Sequence, residues 1–149
     1  MTDEKTKLDL LVTKSHRRLI EVSTVFPFDF FPDTIRIDEN KIDVIYRNFF
    51  SVKHIVPVLI GDIATVILSS GVVFASIHIQ LNKPRPPEMD PFLSEPINYF
   101  WKKDAIKARR IILGLVVAKK EKVDISKISL SELIPKIEEI GKAKEFVNI

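Results

Sequence analysis

Few residues of this chain could do chemistry, and they stand far apart. His16, His54 and His78 are the only histidines among 149 residues, so a metal or acid–base site would need the fold to gather them with carboxylates. His78 itself sits in an alternating segment and reads as an outward strand residue. Cysteine is absent, which excludes disulfides, thiolate zinc sites, iron–sulfur clusters and cysteine nucleophiles together. The serines lack a Gly-x-Ser-x-Gly elbow, and glycines at 61, 71, 114 and 141 are too dispersed for a phosphate-cradling loop. Asp62 stands in an apolar stretch, where a proton relay is one reading and a bond to a turn or backbone amide beside Gly61 is the ordinary one. No catalytic group, metal, cofactor or small-molecule substrate is expected. A non-catalytic binding class fits, and the cysteine-free composition suits the reducing cytoplasm.

Binding chemistry is better represented than reaction chemistry. The formal charge is +3, and residues 102–122 hold eight basic and two acidic side chains, net +6, whereas residues 1–101 are net −2 and 123–149 net −1. Within the basic segment Lys103, Lys107 and Arg110 follow i, i+4, i+7 spacing and share one helix face with Gly114, a candidate surface for a polyanion or an anionic membrane. The ordinary alternative is a solvated face. No helix-turn-helix, aromatic RNA-binding motif or glycine clamp accompanies it, so nucleic acid is not the expected partner. The run Phe26-Pro27-Phe28-Asp29-Phe30-Phe31-Pro32 offers Phe28, Phe30 and Phe31 as candidate contacts for a protein partner, for self-association or for a membrane, although such runs commonly belong to the core. Residues 84–96 hold five prolines and read as an extended spacer, with Pro84-x-x-Pro87 as a weak polyproline signal.

These residues must be positioned by strands and then helices. Between Ile55 and Leu81 the only Lys, Arg, Asp or Glu is Asp62, so hydropathy alone would suggest a membrane span. Twelve of these residues are β-branched, however, and Ala75, Ile77, Ile79 and Leu81 alternate with Ser76, His78 and Gln80. That is strand periodicity, and Ser69-Ser70-Gly71 supplies a turn between two strands. Further strands are expected near 17–25, at Ile35–Asp38 and Ile42–Arg47 across Glu39-Asn40, near 52–58, and at Ile97–Trp101. From about residue 102 the period changes. Trp101, Ala105, Ala108, Ile112 and Leu115 form one stripe of a helix reaching Lys122, so Trp101 is expected to be buried. A shorter helix is expected over Ser131–Ile140, stopping at Gly141, with Pro135 near its start. The divisions are an N-terminal extension over 1–16, flexible or helical; a domain over 17–122 including the helix 102–122; and a short helix and tail over 123–149.

Six or seven strands in hairpin order, the words Thr34-Ile35-x-Ile37-Asp38 and Leu59-Ile60-x-Asp62-Ile63, and one amphipathic helix after the last strand resemble a bacterial pleckstrin-homology-like domain over roughly residues 17–120. The resemblance implies a mainly β, α+β fold: a strongly bent antiparallel sheet or split barrel capped by a C-terminal helix, here with a short extra helix. It also implies a binding or scaffold module acting through protein contacts, with a peripheral module holding anionic lipid on its basic helix face as the alternative. In lipid-binding relatives the loop joining the first two strands carries the phosphate-holding cations. Here that loop, Phe26–Asp33, has two aspartates and no Lys or Arg, so phosphoinositide binding there is not expected.

Overall fold

The computed structural model describes residues 3–8, 17–27, 30–47, 53–83, 85–86 and 93–147. A short helix α1 over residues 3–8 precedes seven strands: β1 (Arg18–Ser23), β2 (Thr34–Asp38), β3 (Lys41–Arg47), β4 (Lys53–Leu59), β5 (Ile63–Ser70), β6 (Phe74–Leu81) and β7 (Ile97–Trp101). Helices α2 (Lys102–Lys120) and α3 (Leu130–Val147) follow. The architecture is α+β, with two antiparallel sheets ordered β1-β2-β3-β4 and β5-β6-β7.

Alternation in the sequence becomes sidedness in the sheets. Ile35 and Ile37 of β2 pair with Val44 and Ile42 of β3, and all four are fully buried. Val58, on β4, pairs with Ile42 and is buried with them, while the strand-edge residue Pro57 faces solvent where its missing N–H breaks no ladder. In the second sheet Val66 and Leu68 pair with Ile79 and Ile77 on the inner side. The segment that hydropathy alone would send through a bilayer is therefore β4, a 3-10 turn at Ile60–Asp62, β5 and β6. Among the described residues no helix is long and apolar enough to cross a membrane.

The two sheets meet along β1 and β7. Thr24 forms an antiparallel bridge with Phe100, and the Val25 N–H donates to the Tyr99 carbonyl at 2.8 Å. Tyr99 takes a left-handed φ of 70° beside a register break in the β6–β7 ladder, a conformation that costs a non-glycine residue about 1–2 kcal/mol. Phe100 is fully buried between the sheets, so its neighbours Tyr99 and Trp101 turn outward. Trp101 is thus 47% exposed, against the expectation of burial. It belongs to β7, whose period-2 geometry governs it, and the inner stripe of α2 begins only at Ala105.

Helix α2 lies over β1, β5, β6 and β7, and inserts Ala105, Ala108, Ile111, Ile112 and Leu115 into the same core. Helix α3 is longer than expected and runs straight through Gly141. The glycine is there for space. A Cβ on it would lie 1.7 Å from the Arg110 carbonyl oxygen, and one on Gly114 would lie 2.1 Å from the Ile137 carbonyl oxygen. The helices cross backbone against backbone at these two points, and α3 adds Leu133 and Ile137 to the core. Pro135 removes one N–H from the helix interior at an exposed position, and the Ser131 residue whose carbonyl loses that donor is exposed too, so water can take its place.

The linker between the helices is fastened by Arg17. Its guanidinium donates to the carbonyls of Ile125 and Ile128 and pairs with Glu39, which is buried in the β2–β3 turn. One side chain near the start of β1 thereby ties the α2–α3 linker to the β2–β3 hairpin.

Candidate functional site

Among the described residues, the groups that could make a reaction centre stay apart. His54 is exposed on β4 opposite Tyr46, His78 is half-buried on the outer face of β6 opposite Ile67, and His16 lies outside the described residues. Asp62 is exposed in the 3-10 turn, where its backbone carbonyl accepts the Asn82 N–H at 2.8 Å. No group of three or more His, Asp or Glu able to hold a metal occurs among the described residues. Acidic groups do cluster at the first hairpin, with Asp38, Glu39 and Asp43 all buried and Lys41 Nζ 3.2 Å from Asp43. Burial, then the neighbouring Asp43 charge, pushes the Asp38 carboxyl above the usual carboxylate range. Glu39 of this cluster pairs with Arg17, and Asp43 with Lys41 of the same hairpin.

The basic helix face divides in two. Lys103 and Lys107 are exposed on α2, as their spacing predicts, and Ala105, Ala108 and Ile112 face inward. Arg110 is different. Its Nε lies 3.2 Å from the Glu145 carboxylate of α3, and the Nε of Arg109 lies 3.4 Å from the same group. Both guanidiniums are only about a quarter accessible. Gly114, which continues the same face, is covered by Ile137. The continuous face inferred from the helical wheel is therefore open only over its first half.

The aromatic loop is fastened at its neck, and the described rings beyond the neck are open. Thr24 is buried, its N–H donates to the Asp33 carbonyl at 2.9 Å, and its Oγ1 accepts the Asp33 N–H at 2.8 Å. Asp33 also accepts the Arg47 N–H at 3.0 Å, joining the loop to β3. Beyond this neck Phe26 is 64% and Phe30 73% exposed, their rings edge to face at 6.2 Å, and Phe31 is partly exposed. The reading of this run as core fails for Phe26 and Phe30, because neither sheet continues past Thr24 and Thr34 to cover them. Phe28 lies outside the described residues.

A second exposed apolar surface was not legible in the sequence. The β5–β6 turn falls on Gly71-Val72-Val73, closed by the Gly71 N–H donating to the Phe74 carbonyl at 2.8 Å, while Ser69 and Ser70 belong to β5. Val72, which strand alternation would place in β6, is instead 94% exposed at the tip. Next to it Trp101 stacks on Phe74 with centroids 5.3 Å apart and planes at 29°, and Tyr99 meets Phe74 edge-on at 6.3 Å. Lys102 donates its N–H to the Val73 carbonyl at 3.0 Å, so the start of α2 is tied to the tip. Val72, Val73, Trp101, Lys102, Lys103 and Ile106 bound a shallow groove of about 730 Å³, with Asp104 at its edge. The only signal in the chain was two adjacent valines after a glycine, which is equally the start of a strand.

Comparison with protein-family models, with curated proteins and with solved structures finds no significant match, so the functional reading stands on these surfaces alone.

Proposed function

We propose that this chain is a non-catalytic binding or scaffold module of pleckstrin-homology-like design, acting through protein–protein contacts made by the aromatic loop. The observation that carries this reading is the pair Phe26 and Phe30, two large rings in mutual contact and mostly in water on a loop whose neck is closed by Thr24 and Asp33 and hydrogen-bonded to β3. Exposed aromatic anchors on a rigid support lose little conformational freedom on binding, and burying each ring in a partner's pocket is worth roughly 1.5–3 kcal/mol. The loop's Asp29 and Asp33 and its lack of Lys or Arg favour a protein surface over an anionic one. The four-plus-three antiparallel sheets followed by a helix packed on both support the pleckstrin-homology-like design.

The test is association measured on the intact chain. Sedimentation velocity across a concentration series reads self-association, and a photo-crosslinker at position 26 identifies a partner in cell extract. Phe30→Ser should leave the circular dichroism unchanged and weaken whichever association is found by tenfold or more. Association that is equal in wild type and Phe30→Ser overturns the assignment of this loop.

A further inference from the structure

We infer that the β5–β6 tip and the first turns of α2 form a docking face for an anionic lipid bilayer, a surface separate from the aromatic loop and independent of its proposed role. Three observations converge on it. The first is shape and composition. Val72 and Val73 occupy a turn, where Gly, Asn, Asp and Ser are usual, and Val72 protrudes with almost no protein around it. Val72 at the rim of the groove is the protruding apolar point that a yielding bilayer interface can accept.

The second is layering. Behind the valines come Trp101 and Tyr99, both partly exposed and both packed on Phe74; Lys102 and Lys103 line the same groove as Trp101, and Lys107 follows one helical turn after Lys103. Aliphatic tip, amphipathic aromatic rings and flexible cations meet a membrane in the order in which its own polarity changes, from acyl chains through the headgroup level to the phosphates. The third is electrostatic. Arg109 and Arg110 are engaged by Glu145, and Lys119 and Lys120 lie at the far end of the helix, on the order of 25 Å away. Among the described cations of α2, Lys102, Lys103 and Lys107 at its start are therefore the ones that would meet the surface, with Asp104 the acidic residue on the same turn. The tip is also rigid, because the Lys102 N–H to Val73 carbonyl bond joins it to α2.

Trp101 is the sole tryptophan, so the intact protein reports on its own docking. Phosphatidylcholine vesicles with and without phosphatidylglycerol are titrated into it at low and high salt. The expected result is a blue shift of Trp101 emission and quenching by brominated acyl chains with the anionic vesicles alone, both fading as salt rises. Water-soluble glycerophosphoglycerol should give no shift, which separates a bilayer from a free headgroup. Joint replacement of Lys102, Lys103 and Lys107 by Ser should weaken vesicle binding on the order of 100-fold. Val72→Asp, and the milder Val72→Ser, should abolish or reduce the acyl-chain quenching, with circular dichroism unchanged because position 72 makes no core contact. Phe30→Ser should bind vesicles as wild type does, so that failure here and failure of the aromatic-loop reading remain distinguishable. The inference is overturned if anionic vesicles leave Trp101 unchanged at low salt, if the Val72 and lysine variants bind them as wild type does, or if Val72→Asp disrupts a protein complex while vesicles have no effect.

Discussion

The two halves of α2 differ in composition and in environment: residues 102–110 hold five Lys and Arg, and residues 111–118 hold none. Over 102–108 one face of the helix is buried against the sheets, and Lys103 and Lys107 on the other are in water. From Ile111 to Val116 every residue is buried, because the sheets cover one side and α3 the other. The basic face of a helical wheel thus need not be a solvated face. What decides it is whether another element has a surface flat enough to lie on it, and here Gly114 and Gly141 provide that flatness.

Several substitutions would break or sharpen this contrast. The largest effect is expected for Gly141→Ala. In an isolated helix that change would favour helicity by about 1 kcal/mol, but here its Cβ meets the Arg110 backbone, which cannot rotate away. We expect a net loss of about 3 kcal/mol or more in chemical denaturation, with α3 displaced and Arg110 newly accessible. Gly114→Ala places its Cβ against the Ile137 backbone at a slightly longer distance, and its expected loss is roughly 2 kcal/mol. If either variant is as stable as wild type, the close crossing is not as described.

Glu145→Gln should act less on stability and more on surface charge. It leaves two part-buried guanidiniums without their carboxylate, for an expected loss of about 1 kcal/mol. It should also strengthen retention on heparin, because the single Glu145 charge that offsets part of the Arg109–Arg110 pair is removed. Unchanged retention would mean that α3 shields them sterically as well. The smallest effect is expected for Lys103→Ser with Lys107→Ser, each within about 0.5 kcal/mol of wild type in stability. That pair should nevertheless reduce heparin retention more than Arg110→Ser does, which reverses the equal weighting that helical spacing alone would assign.

The same division runs through what could be read beforehand. Strands β2 and β3 and the turn between them are legible in the sequence, since Ile35, Ile37, Ile42 and Val44 alternate with polar neighbours and Glu39-Asn40 breaks them, while the pairing register comes from the structure. The inner stripe of α2 was legible for the same reason. Gly141 reads as a helix stop in the sequence, whereas α3 runs through it, because a glycine that ends a helix and one that admits a neighbouring backbone look alike in one dimension. The turn after β5 was misplaced because Ser69-Ser70-Gly71 has turn chemistry, whereas the observed turn is set by pairing Val66 and Leu68 with Ile79 and Ile77, which leaves Gly71-Val72-Val73 to bridge the gap.

Local periodicity determined which segments are strands and helices and which face of each is apolar, because those preferences act between residues a few positions apart. Only the tertiary structure decided which apolar residues would be left uncovered and which cations would be paired. Phe30, Val72 and Trp101 are as hydrophobic as the residues of the core, but the sheets end before the loop and the tip, and burying Phe100 turns Trp101 outward. Arg110 meets Glu145 across 35 residues of sequence, a contact that exists only once α3 has folded back along α2. Exposure and charge pairing are properties of surfaces brought together at long range, and the surfaces proposed here to bind are the ones that this assembly left open.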